Sequence, residues 1–177
     1  MKVIFLFAIA AMLHQNDSLV LFESGQDSLS GWYIQDDVVM GGVSEGHMRL
    51  NDTGNLLFSG TVRLENNGGF SSIHQRMSKK EVSDFTHVIL KVKGDGKAYQ
   101  FRIKSNDDER HSYVKDFETS GDWETIQLPL KDFYPVFHGE TLDKPNYAGD
   151  TMTDVGILIG NGRKENFELE IERIFLK

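Results

Sequence analysis

The sequence predicts an all-β protein, an antiparallel β-sandwich of jelly-roll type. Three observations carry that reading. After Gln15, apolar residues recur at nearly every second position, the period of a strand with one buried and one wet face. Clusters of Gly, Asn, Asp and Ser mark turns between these runs, and the one-wet-face alternation of the runs makes the sheets antiparallel. No stretch after Gln15 carries a helical apolar stripe of useful length. About ten short strands in one chain point to a sandwich.

The leader comes first in chain order. Lys2 precedes an apolar run over residues 3–13. That is the charged region and apolar region of a secretory signal peptide. The run is shorter than the ~20 residues that a membrane span requires. Residues 1–15 are therefore predicted to be a signal peptide and residues 16–177 a single domain. This places the mature chain in the periplasm or outside the cell. The alternative makes the run a first buried strand or helix and leaves the protein cytoplasmic.

The strands follow. Residues 19–22 are a short apolar run. In residues 56–64 the even positions are mostly apolar. In residues 86–93 Val88, Leu90 and Val92 share a face. Tyr99, Phe101 and Ile103 alternate with Gln100, Arg102 and Lys104. Ile126, Leu128 and Leu130 share a face, as do Val155, Ile157 and Ile159. Phe167, Leu169 and Ile171 alternate with Glu168, Glu170 and Glu172. Asn66-Asn67-Gly68-Gly69, Ser120-Gly121-Asp122 and Asn161-Gly162 supply turn residues that tolerate positive φ. Gly94-Asp95-Gly96 lies between two well-alternating runs and reads as a hairpin. Short helical turns are expected near residues 78–85 and 131–133. The longest irregular stretch is 134–151, a length usually found in functional or mobile loops.

Composition narrows the function. The 177 residues are 39% hydrophobic and 26% charged, which suits one globular domain. A net charge of -8 opposes non-specific binding to nucleic acid and to anionic lipid. The absence of Cys excludes disulfides, thiol nucleophiles and cysteine-held metal clusters. No G-x-S-x-G elbow and no H-E-x-x-H motif occurs. Nothing in the order of Ser and His residues forms a triad. His138-Gly139-Glu140 has ligand types without a second pair at helical spacing. Asp107-Asp108-Glu109 offers oxygen ligands of calcium type but reads more simply as a hairpin tip. No cofactor is implied, and a structural calcium held by carbonyls is the one metal left open. Gly160-Asn161-Gly162 lacks the pattern and the helix of a phosphate cradle.

Some residues carry two readings. Asp36-Asp37 is half of an acid/base pair or simply a strand end. Trp32, Trp123, Tyr99, Tyr113 and Tyr134 are a sugar-stacking platform or core aromatics. Arg76 and Arg102, both at polar-phase strand positions, clamp a carboxylate or sugar hydroxyl, or pair with Glu across strands.

Two stretches are more specific. The first is Trp32-Tyr33-Ile34-Gln35-Asp36-Asp37-Val38-Val39-Met40-Gly41-Gly42-Val43-Ser44. The second is Phe58-Ser59-Gly60-Thr61-Val62-Arg63-Leu64-Glu65-Asn66-Asn67-Gly68-Gly69-Phe70. Together they resemble the complex I intermediate-associated protein 30 family, with its W-x-x-x-x-D-x-V-M-G-G-x-S and E-N-N-G-G-F segments. Lys93-Gly94-Asp95-Gly96, Trp123 to Leu130 with Asp132-Phe133, and Phe167-Glu168-Leu169-Glu170-Ile171 agree in the same order. The match runs over residues 19–177.

The resemblance implies a galactose-binding-like jelly roll. It also implies a chaperone-like assembly factor that holds a protein partner and is not an enzyme. Phe137-His138-Gly139 stands where the family often has F-R-G, which makes any anionic contact there weaker or pH-dependent. The binding candidates are Asp37, Met40, Gly41, Gly42 and Ser44 in the first segment, with Asn66, Asn67, Gly68, Gly69 and Phe70 in the second. Arg76, Arg102 and His138 complete the set. The two Gly pairs either shape strand ends or form the lip of a groove. Three functions remain: a module holding a protein partner, an extracytoplasmic carbohydrate-binding module, and an enzyme using Asp36 or Asp37 with an arginine.

Overall fold

The computed structural model describes residues 18–177. The predicted leader lies outside the described residues. Thirteen strands follow one another: β1 Leu19–Glu23, β2 Trp32–Asp36, β3 Glu45–Leu50, β4 Leu56–Val62, β5 Ser71–Glu81, β6 His87–Lys93, β7 Ala98–Lys104, β8 Ser112–Glu118, β9 Trp123–Pro129, β10 Tyr134–Phe137, β11 Glu140–Thr141, β12 Thr151–Ile159 and β13 Glu165–Leu176. Short 3-10 turns occupy Asp37–Met40, Glu65–Asn67 and Leu130–Asp132.

The strands form two sheets. One has the order β3-β4-β13-β6-β9, and β1 also pairs with β13. β4 lies along Glu165 to Ile171 of β13, and β1 along its final residues Arg173 to Leu176. The other sheet has seven strands in the order β11-β10-β8-β7-β12-β5-β2. Every pairing is antiparallel. The all-β sandwich reading holds.

Alternation explains the layers. In β7, Tyr99, Phe101 and Ile103 are buried, while Gln100, Arg102 and Lys104 are only partly so. Phe58, Leu90, Leu169 and Ile171 of one sheet join Ile73, Phe101 and Ile157 of the other in a single apolar cluster. Each such side chain contributes about 1.5–3 kcal/mol when fully buried. Phe22 of β1 meets Trp32 of β2 edge to face at 6.2 Å, which links the two sheets.

Four expectations change. Gly94-Asp95-Gly96 is not a hairpin, because it carries the chain from β6 in one sheet to β7 in the other. Gly94 is needed for a close approach: a Cβ there would stand 2.3 Å from Thr119 Oγ1. Asp95 ties this arch down, accepting from Tyr99 OH at 3.0 Å and from the Glu168 N–H at 2.9 Å. The turns after β4, β8 and β12 likewise cross between sheets. Second, residues 78–81 are strand, not helix, because β5 keeps pairing with β12 out to Glu81. The turn expected near 131–133 is present as Leu130–Asp132. Third, residues 134–151 contain β10 and β11. Fourth, the loop after them is anchored by Tyr147, whose N–H donates to Phe133 O at 2.9 Å and whose hydroxyl donates to Thr151 O at 2.6 Å. Among the described residues no helix is long and apolar enough to cross a membrane.

Candidate functional site

The two sequence motifs meet at one carboxylate. Asp37 opens the turn after β2 and is 0% exposed. Its Oδ1 accepts from the Ser44 N–H at 2.9 Å. Its Oδ2 accepts from the Ser44 hydroxyl at 2.5 Å, the Gly69 N–H at 2.6 Å and the Phe70 N–H at 3.3 Å. Burial pushes the Asp37 carboxyl up, but those donors outweigh it and hold the group below its ordinary value of 3.8.

The glycines make room for this carboxylate. A Cβ on Gly42 would stand 2.3 Å from Asp37 Oδ1, and one on Gly68 would stand 2.5 Å from Oδ2. Asn66 and Asn67 take φ of 58° and 60°, a left-handed step that Asn tolerates and that swings Gly69 onto Asp37. Asp36 is occupied as well, accepting from Ser71 Oγ at 2.6 Å and from the Gly46 N–H at 3.0 Å. The donors to Asp36 and Asp37 are serines and backbone, not the arginine that an enzyme reading needs.

Exposed apolar residues flank this latch. Val38 is 59% exposed and Met40 54%, with Ile34, Val43 and Leu64 also exposed. Ile34 and Val38 line one shallow hollow, and Leu64 lies against Gly69. Exposed apolar groups gathered in one place mark an interaction surface more often than scattered ones do.

A second candidate surface is the outer face of the seven-stranded sheet. Register places Tyr33, His74, Gly156, Arg102, Val114 and Tyr134 in one row across six strands. Arg76 opposes Asp154, and Lys104 opposes Asp154 from the other side. Arg76 and Arg102 thus share a face and flank β12. The Tyr33 ring stacks on His74 at 5.4 Å. Asp154 holds them both: Oδ1 lies 2.9 Å from His74 Nδ1, and Oδ2 accepts from Tyr33 OH at 3.3 Å. Asp116 plays the same part at the other end, accepting from Tyr134 OH at 2.5 Å and Gln100 Nε2 at 3.0 Å. Burial and that bond push the Tyr134 hydroxyl up to about 12, and nearby Arg102 opposes the rise.

Ser72, His74 and Asp154 stand in the order of nucleophile, base and orienting acid, with Nε2 at 3.2 Å from Ser72 Oγ. The arrangement does not suit acyl transfer. Ser72 is 1% exposed, and its hydroxyl donates to Gln35 O at 2.7 Å. The network positions Tyr33 instead.

The remaining candidates separate. His138 has φ of 53° and sits exposed in the β10–β11 turn, its ring 4.1 Å from that of Phe137. That is the opposite edge of the sheet from β2 and Asp37. Of the aromatic platform, Trp32 and Tyr99 are core. Tyr113 packs inward on Tyr147, and Trp123 belongs to the other sheet. Only Tyr134 stands on the outer face. Tyr33 was missed, although the phase set by Trp32 assigns it to that face. Among the described residues no group of three or more acidic or His side chains is arranged to hold a metal ion.

The fold is an antiparallel β-sandwich of jelly-roll type. The family 11 module of a cellulosomal cellulase of Clostridium thermocellum matches with a TM-score of 0.66 and 15% identity, covering 90% of this chain and 94% of that one. The same kind of module in complex with a β-1,3-1,4-mixed-linked tetrasaccharide matches at 0.65 and 16%, with the same coverage. A family 29 carbohydrate-binding module matches at 0.55 and 8%, covering 91% of each chain. At such identities the likeness is one of fold. By sequence the chain belongs to the complex I intermediate-associated protein 30 family, whose model matches residues 20–171.

Proposed function

We propose that this chain is a non-enzymatic binding module that holds a protein partner while a larger complex assembles. The observation that carries this reading is the apolar cap of Ile34, Val38, Met40, Val43 and Leu64 beside the Asp37 latch. The two motifs spend their polar groups on the buried Asp37 carboxylate, and Val38 and Met40 of the same turn are left exposed. Membership of a family named for association with an assembly intermediate supports the same reading. Residues 1–15 are proposed to act as a removable leader that delivers the domain across a membrane.

The test compares wild type with Met40→Asp and Val38→Asp in the chain's own cells. Crosslinked partners are quantified by mass spectrometry, and the bait N-terminus is read in the same run. A partner recovered by wild type, lost from both cap variants and retained by Arg76→Gln supports the reading. Equal recovery from all variants at unchanged thermal midpoint sinks it. A bait that retains Met1 sinks the leader.

A second reading, a carbohydrate-binding module, is favoured by one observation. The row from Tyr33 to Tyr134 puts half-buried aromatic and hydrogen-bonding groups at both ends of one sheet face, with Arg102 between them, the mixture that sugar faces and hydroxyls require.

A further inference from the structure

The outer sheet face has an imbalance of donors and acceptors. Two of its carboxylates are already occupied, while Glu118 at the far end of β8 is exposed. Asp154 is bonded to His74 and Tyr33, and Asp116 to Gln100 and Tyr134. Its two arginines are not balanced in the same way. Among the described residues neither Arg76 nor Arg102 has a carboxylate within ion-pair distance. Arg102 is half-buried and gives one N–H, from Nη1, to Gln100 Oε1 at 2.9 Å. Arg76 is exposed and lies over the Tyr33 ring at 5.9 Å. Burial costs the Arg102 guanidinium hydration, Asp116 is its nearby charge without being in ion-pair contact, and among the described residues its remaining N–H groups meet no protein acceptor.

The floor between them is low. Gly156 stands between His74 and Arg102 in the row and adds no side chain. It cannot easily gain one, because a Cβ there would come within 2.6 Å of His74 Nδ1. Five strand spacings of about 4.8 Å separate Tyr33 from Tyr134, so the row spans roughly 24 Å. That length suits an oligomer rather than a single sugar.

From this arrangement we infer that the outer face of the seven-stranded sheet binds an acidic oligosaccharide, its uronate carboxylates taken by Arg102 and Arg76. The inference rests on the carbohydrate reading above and deepens it. A planar guanidinium receives a carboxylate through two parallel hydrogen bonds. Tyr33 and Tyr134 place a half-buried phenol at either end, the Tyr33 ring resting against His74 and Arg76, and Lys104 adds a third cation beside Asp154. An acidic peptide fits less well. Extended peptides bind chiefly through backbone bonds to a free strand edge, whereas β5 and β7, which carry Arg76 and Arg102, are paired on both sides.

Isothermal titration of the full chain tests this with four probes: oligogalacturonate, oligomannuronate, a neutral β-1,3-1,4-glucan oligosaccharide and polyglutamate. Saturable binding of a uronate oligomer is expected, with the neutral glucan and polyglutamate much weaker. Arg102→Gln should lower uronate affinity by about tenfold or more, the worth of a charge-assisted hydrogen bond. Arg102→Lys should fall between, since it keeps the charge and loses the fork. Thermal midpoints of the variants confirm that they fold. Equal binding of the neutral glucan overturns the acidic inference and leaves the carbohydrate reading standing. Binding of polyglutamate alone overturns it in favour of an acidic protein segment. No binding of any glycan overturns both.

Discussion

A carboxylate without solvent contact stays ionised only if donors replace its water, and Asp37 has four of them from Ser44, Gly69 and Phe70. Asn has nearly the same shape but presents an amide N–H₂ where an oxygen now accepts. Asp37→Asn therefore sets donor against donor and leaves a buried N–H unpaired. The expected cost at pH 7 is roughly 2–4 kcal/mol in urea unfolding. The pH dependence has a definite sign. The folded pKa lies below the ordinary 3.8, so the unfolded state binds the proton first as pH falls. Stability from Asp37 is fully present above about pH 4 and is lost as pH drops through the folded pKa. The gap between wild type and Asp37→Asn should consequently narrow between pH 7 and pH 3. A gap of constant size would show that the charge contributes nothing.

At the scale of elements, each sheet has an interior strand that organises it. β12 lies between β7 and β5, and β13 lies between β4 and β6 while also holding β1. Their amides are bonded on both sides and lie over the core. β11 has two residues and pairs only with β10. Native-state hydrogen exchange should therefore be slowest in β12 and β13 and fastest in β11. Exchange in β12 as fast as in β11 would mean that the sheet is not organised about it. The strands most legible in the sequence were those with clean alternation, such as β7 and β13. β12 is buried at almost every position, yet Val155, Ile157 and Ile159 still showed its phase. β5 was legible only around Arg76, because Ser71, Ser72, His74 and Gln75 give it no apolar alternation, and its far end at 78–81 read as a helical turn. The turns were legible as turns but not by destination. A Gly with positive φ serves a hairpin and an arch between sheets equally well, and only the pairing of β6 with β9 separates them.

For the whole molecule, sequence spacing brought the motif residues to notice but could not show that they converge. Asp37 and Gly69 are 32 positions apart and meet only because β2 and β5 pair in register. The arginines were found by strand phase, and the unpaired state that gives them meaning depends on where Asp154 and Asp116 spend their oxygens. Both candidate surfaces share β2: Ile34 belongs to the cap and Tyr33 to the sheet face. Integrity of that strand against the rest therefore governs both. Trp32 reports on it, being buried on β2 and packed edge to face on Phe22 of the opposite sheet. Trp123 is 43% exposed, so Trp123→Phe should cost little and leave Trp32 as the single tryptophan. Because one apolar cluster joins both sheets, the chain should unfold as one unit. Trp32 emission and far-UV circular dichroism should then give the same urea midpoint and the same slope. A fluorescence transition at lower urea would mean that β2 detaches before the sandwich opens, and that the cap and the row are held less rigidly than the binding proposals require.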